Sequence, residues 1–246
     1  MWRPVTGSTA GNSEHQTEIM IEERIFSSAA DCNRAVADSL TSSLRHTLET
    51  NGQASFAVSG GRTPVGVFDL ISEVDLAWNR VHLTTIDERW VSPGDEASNE
   101  RLVRDHLMQD KAAGAMFTGM KTGHPSPDLG RNECAERISR LPLPLDLVYL
   151  GMGEDGHIAS LFPGSPALSD NDAVVVPGVA PQEPVARMSL SLDALAQAQA
   201  ICLHLSGEAK RQVYQRSIAA DADPNLPFAA LLARRAVPVQ VFLAES

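Results

Sequence analysis

The sequence predicts an α/β fold: a single Rossmann-like domain with a central, mainly parallel sheet and helices on both faces. Three observations predict it. Short apolar runs alternate along the chain with segments of helical periodicity, the pattern of strand–helix–strand units. Four of the runs end in Gly-rich or charged segments. The composition, 43% hydrophobic and 21% charged, is that of a folded domain with a sizeable core.

The elements follow in order. Ile19 to Ile25 reads as a strand. Ala29 to Thr50 carries Val36, Leu40, Leu44 and Leu48 four residues apart, one face of a helix that stops at Asn51-Gly52. Ala54 to Val58 is a strand broken by Ser59-Gly60-Gly61. Pro64 then opens a helix over Val65 to Val74. Val81 to Ile86 is a strand ending at Asp87-Glu88-Arg89, three charges that could be a solvated turn or part of a site. Ser98 to Met108 reads as a helix capped by Ser98 or Asn99. A short strand over Ala115 to Met120, a helix over Asn132 to Arg140 and a strand over Leu145 to Leu150 come next. Ala173 to Val176 and Val185 to Leu192 read as further strands, with Pro177 to Pro184 a surface loop between them. Ala200 to Leu205 is a strand, Glu208 to Ala219 a helix, Phe228 to Arg235 a helix and Val239 to Leu243 a strand. Residues 1–17 are polar and read as a flexible extension, leaving 18–246 as one domain.

Charge and cysteines narrow the function. With 20 basic and 31 acidic side chains the net charge is -11. Such a surface repels nucleic acid and anionic lipid. No apolar run reaches the length of a membrane span. Cys32, Cys134 and Cys202 are too scattered for a disulfide framework or a zinc site and suit a reducing compartment. Asp155 and His157 could be two metal ligands, but no third has recognisable spacing, so no metal and no cofactor are expected.

Ligands of parallel sheets bind at the carboxyl ends of the strands. Four segments converge there: Ser59-Gly60-Gly61-Arg62-Thr63, Asp87-Glu88-Arg89-Trp90, Gly151 to His157, and Ser206-Gly207 with Lys210 one turn on. The first suits a phosphate. Its glycines admit an anion to the backbone, a helix N-terminus follows, and Arg62 and Thr63 add donors. It is neither a P-loop nor GxGxxG. In the second, the carboxylates could hold sugar hydroxyls or a neighbouring side chain, and Arg89 could face developing negative charge. In the third, His157 has an Asp two residues before it, the partner that a general base for water needs. The other histidines are assigned structural or surface roles. No GxSxG elbow exists to supply a serine nucleophile.

These segments together resemble the 6-phosphogluconolactonase family. The resemblance rests on Ser59-Gly60-Gly61-Arg62-Thr63-Pro64, Asp87-Glu88-Arg89-Trp90-Val91, Ser98-Asn99 and the run from Leu150 to Gly164, which contains Asp155-Gly156-His157. Arg187 and the Gly207 to Lys210 element also match. Glucosamine-6-phosphate deaminases look similar but continue after the His with Ile-Ala-Phe-Asn-Glu-Pro. Here the chain reads Ile158-Ala159-Ser160-Leu161-Phe162-Pro163, without the Asn-Glu pair. A sugar-phosphate sensor on the same fold would be expected to carry an effector segment, and the short polar extension offers none. The resemblance implies hydrolysis of 6-phosphogluconolactone without cofactor. His157, Asp155 and Arg89 would be catalytic, with Arg89 facing either the tetrahedral intermediate or the phosphate. Ser59, Gly60, Gly61, Arg62, Thr63, Asp87, Glu88, Asn99, Gly153, Arg187 and Lys210 would bind the phosphorylated sugar lactone. A cytoplasmic monomer or homodimer is the expected setting.

Overall fold

A computed structural model describes residues 3–7, 19–170, 173–219, 221–235 and 238–245. Strands β1 (Arg3–Gly7), β2 (Ile19–Phe26), β3 (Ala54–Val58), β4 (Val81–Thr85), β6 (Met116–Phe117), β7 (Leu147–Leu150), β10 (Ala200–Ser206) and β11 (Val239–Ala244) form the main sheet. Its order is β1-β2-β11-β10-β7-β3-β4-β6. All neighbours are parallel except β1, which pairs antiparallel with β2. Part of the extension read as flexible is thus an edge strand, and its remaining residues lie outside those described.

Helices cover both faces, as expected. The strands alternate cleanly between two cores: Phe56, Val58, Tyr149 and Cys202 point to one, and Ala57, Val148, Leu150, Ile201 and Leu203 to the other. This is the period of two that a strand imposes. The first face carries α1 (Ala29–Asn51) and α2 (Val65–Ser72), through Val36, Leu40, Leu44, Val67, Phe68 and Ile71. Ser28 caps α1 at Asp31 N, and Gly52 ends it at φ 76°, the left-handed position that favours glycine. The second face carries α4 (Pro127–Ile138), α5 (Leu192–Ala196), α6 (Glu208–Ile218) and α7 (Pro227–Leu232). The fourth helix begins five residues before the expected Asn132, because Ser126 caps it and Pro127 takes its first turn. The predicted helix over Ser98 to Met108 is a short α3 (Asn99–Leu102) that widens into a π-helical turn, Val103–Leu107.

A second, three-stranded antiparallel sheet was not foreseen. It consists of β5 (Asp87–Arg89), β9 (Ala186–Leu190) and β8 (Val175–Val179), in that order. Asp87-Glu88-Arg89 is therefore a strand, not a turn. Ile86 hands the chain over: its N–H bonds Val58 O in the main sheet, and its carbonyl accepts from Leu190 N. Residues 177–184, expected as a loop, are the end of β8 and the tip of the β8–β9 hairpin. This sheet stands beside the carboxyl edge of the main one and walls the site.

Candidate active site

Strands β10, β7, β3 and β4 are consecutive neighbours in the sheet, so the segments that leave their carboxyl ends meet on one rim. A cavity of about 490 Å³ opens there. Of the residues expected to catalyse or to bind the substrate, all but Glu88 line it.

The first wall is the turn from β3 into α2. Ser59 N bonds Tyr149 O across the sheet at 2.9 Å, and Gly61 has φ 92°. Gly60 faces Asn99 so closely that a Cβ there would fall 1.9 Å from Asn99 Oδ1. Pro64 sets the helix entry, and no side chain caps α2. Its leading N–H groups turn inward instead: Val65 N bonds Arg62 O at 3.4 Å and Val67 N bonds Pro64 O at 3.0 Å, so the Gly60-to-Thr63 backbone ahead of the helix is the part that faces an anion.

The small sheet supplies the second wall. Arg89 and Arg187 are direct cross-strand partners, two like charges on one face. That arrangement is unfavourable until an anion neutralises it. Arg89 Nη1 donates to Ala97 O at 2.5 Å, Arg187 Nε donates to Pro184 O at 2.8 Å, and Arg89 Nε is buried without a partner. Burial, and then the charge of Arg89, lower the pKa of Arg187. Lys210 follows the same rule. Burial lowers its pKa first, with Glu154 opposing and Arg62 adding to the shift.

The third wall is the loop after β7. His157 Nδ1 lies 2.5 Å from Asp155 Oδ1, which also accepts His157 N–H at 3.2 Å. The His157 side chain keeps 34% of its surface exposed, enough to meet a ligand. Its hydrogen bond to Asp155 is the main reason that the Asp155 pKa is lowered. The pair sits directly over Gly153, where a Cβ would fall 2.3 Å from the ring. The Phe162 ring packs on the imidazole with centroids 4.7 Å apart. Gly156 at φ 90° and Ala159 at φ 50° turn the loop. The latter is a conformation that costs a non-glycine residue of order 1–3 kcal/mol.

Glu88 stands behind the site rather than in it. It is 1% exposed and accepts N–H bonds from Arg89, Asn99 and Glu100 and an O–H bond from Ser98. It thus anchors the start of α3. Burial raises its pKa to about 7, against the pull of the backbone donors. The expectation that it binds a sugar fails for this reason. Residues that sequence reasoning left out also line the cavity: Glu154, Ser160, Phe162 and the hairpin tip Ala180-Pro181-Gln182. Ser160 and Phe162 lie three and five residues past His157 in the same motif, a signal that was present. Nothing local marks the hairpin tip.

Among the described residues no cluster of three or more His, Cys, Asp or Glu could hold a metal, and no helix is long and apolar enough to cross a membrane. The three cysteines are free and buried.

The sequence profile described as glucosamine-6-phosphate isomerases/6-phosphogluconolactonase matches residues 27–240. A 6-phosphogluconolactonase of Rhizobium meliloti is 35% identical, covering 89% of this chain and 97% of its own. One of Caulobacter vibrioides is 36% identical, covering 92% and 98%. The crystal structure of a 6-phosphogluconolactonase from Shewanella baltica superposes with a TM-score of 0.86 at 38% identity, covering 90% of this chain and 97% of that one. The chain belongs to the glucosamine-6-phosphate isomerase/6-phosphogluconolactonase family, and within it to the 6-phosphogluconolactonases.

Proposed function

We propose that this chain hydrolyses 6-phospho-D-glucono-1,5-lactone to 6-phosphogluconate, with His157 as the general base and no metal in the reaction. The observation that carries this reading is the His157–Asp155 pair in one cavity with four cationic side chains, Arg62, Arg89, Arg187 and Lys210. A single-phosphate substrate with an electrophilic carbonyl needs both: positive charge for its anion and a base for water.

Asp155 engages Nδ1, so Nε2 is the atom that takes the proton. Water adds to the lactone carbonyl while its proton passes to Nε2. The cations offset the charge that develops on the carbonyl oxygen. Collapse of the tetrahedral adduct breaks the ring C–O bond, and Nε2 returns the proton to the departing ring oxygen. The new carboxylic acid then ionises. The phosphate rests against the Gly60-to-Thr63 turn and Lys210. Phe162 occupies the position where the deaminase pattern carries a carboxylate, which disfavours amine release. Residues 18–246 act as one catalytic unit, a monomer or homodimer in the cytoplasm.

The test is acid release from freshly prepared lactone in a pH-stat, corrected for spontaneous hydrolysis, beside ammonia release from glucosamine 6-phosphate. A large excess of acid and no ammonia is the expected result. Ammonia without excess acid would reverse the assignment.

A further inference from the structure

Asp87 was expected to hold sugar hydroxyls or a neighbouring side chain, and its carboxylate is engaged by two side chains. It is 6% exposed. Its Oδ2 accepts the Ser160 hydroxyl at 2.5 Å, and its Oδ1 and backbone carbonyl accept Asn99 Nδ2 at 3.2 and 2.9 Å. The two partners lie on different elements, Asn99 at the start of α3 and Ser160 in the loop after β7. Asn99 presses against Gly60, where no side chain would fit. Ser160 sits in the loop of His157, one residue past the positive-φ Ala159. The backbone of Ser160 is held as well: its N–H bonds Ser189 Oγ at 3.2 Å, and a Cβ on Gly178 would fall 2.9 Å from its carbonyl. One buried carboxylate therefore joins the anion-binding turn to the loop of the base.

We propose that Asp87 is a positioning residue that fixes the His157 loop against the Gly60 turn through Ser160 and Asn99. The kinetic part of its test rests on the lactonase reading above; the spectroscopic part does not. The substrate spans from a phosphate grip to a reacting carbonyl, so the distance between those walls sets whether water, base and carbonyl align. A misplacement of about 1 Å can cost about 100-fold in rate. A direct hydroxyl contact would act differently. It would chiefly raise KM.

The experiment uses the full chain and the variants Asp87→Asn, Ser160→Ala and their combination. NMR spectra should show Asp87→Asn shifting both the Gly60 amide and the His157 ring signals. Ser160→Ala should shift the His157 ring signals. In the kinetic arm, Ser160→Ala should lower kcat about 10- to 100-fold, while inhibition by inorganic phosphate stays within about twofold. The double variant should lose no more than Asp87→Asn alone, because both changes cut the same link. Should Asp87→Asn not fold, Ser160→Ala carries both arms. Unmoved His157 signals in Ser160→Ala would overturn the proposal, as would strictly additive losses or a rise in KM with kcat intact. A wild-type chain without lactonase activity would fail the earlier reading alone, since the NMR arm still decides this one.

Discussion

Two histidines in this chain both engage a partner through Nδ1, and they have opposite fates. His157 meets the carboxylate of Asp155 at 2.5 Å and is 34% exposed at the cavity. His204, on β10, meets the hydroxyl of Tyr149 at 2.8 Å and is 2% exposed beneath the same edge of the sheet. Burial, and then the charge of Lys210, lower the His204 pKa to about 4. It stays neutral and packs its ring against Tyr149 with centroids 6.1 Å apart. Its Nε2 is buried without a partner, so no substrate proton can reach it. The difference teaches that neither histidine nor its hydrogen bond makes a base. A carboxylate on one nitrogen and an open cavity at the other do so together.

The comparison breaks at its strongest point if Asp155 proves dispensable. Asp155→Asn removes the charge that fixes the His157 ring and should lower kcat about 100- to 1,000-fold, within the range of general-base contributions, with little change in Tm. Steady-state kinetics and a thermal melt read both. Gly153→Ala probes the same pair from below, because the new Cβ would meet the His157 ring at 2.3 Å and Asp155 Oδ1 at 2.5 Å. A loss of about 100-fold in kcat is expected, with phosphate inhibition kept.

On the other side of the comparison, His204→Phe should leave kcat unchanged and strand the Tyr149 hydroxyl in the core, at a cost of about 1–3 kcal/mol by denaturant unfolding. The pH dependence sharpens this. A histidine whose folded pKa lies below 6.5 binds fewer protons folded than unfolded. Its contribution is thus fully present above pH 6.5 and is lost as pH falls toward about 4. The linked change is about 3 kcal/mol across that window. The Phe variant should lose that part of the slope.

Much of this was legible in the sequence, and the parts that were not share a physical cause. Strands buried on both faces, such as Ala54–Val58 and Leu147–Leu150, announce themselves as apolar runs. The four-residue spacing on α1, with Asn51-Gly52 as its stop, gave the helix to within one residue. The Asp155-Gly156-His157 loop and the Gly60 turn were visible because their chemistry is local. The small sheet was not, because Asp87 and Glu88 are buried by hydrogen bonds rather than by apolar character. The start of α4 escaped because only Pro127, Gly130, Cys134 and Ile138 are buried along it, a weak apolar stripe. The pairing of Arg89 with Arg187 and the bond of Asp87 to Ser160 join residues far apart in the chain, and nothing in either neighbourhood encodes them. Glu88 was assigned to the site with the whole Asp87-Glu88-Arg89 segment; in a strand its side chain points away from those of Asp87 and Arg89.

The most direct test of the account compares His157→Gln with the wild type in the pH-stat, at saturating lactone and with spontaneous hydrolysis subtracted. The account predicts that kcat falls about 100- to 10,000-fold while the protein still binds phosphate and melts at nearly the same temperature. A His157→Gln enzyme that keeps the wild-type kcat would contradict it.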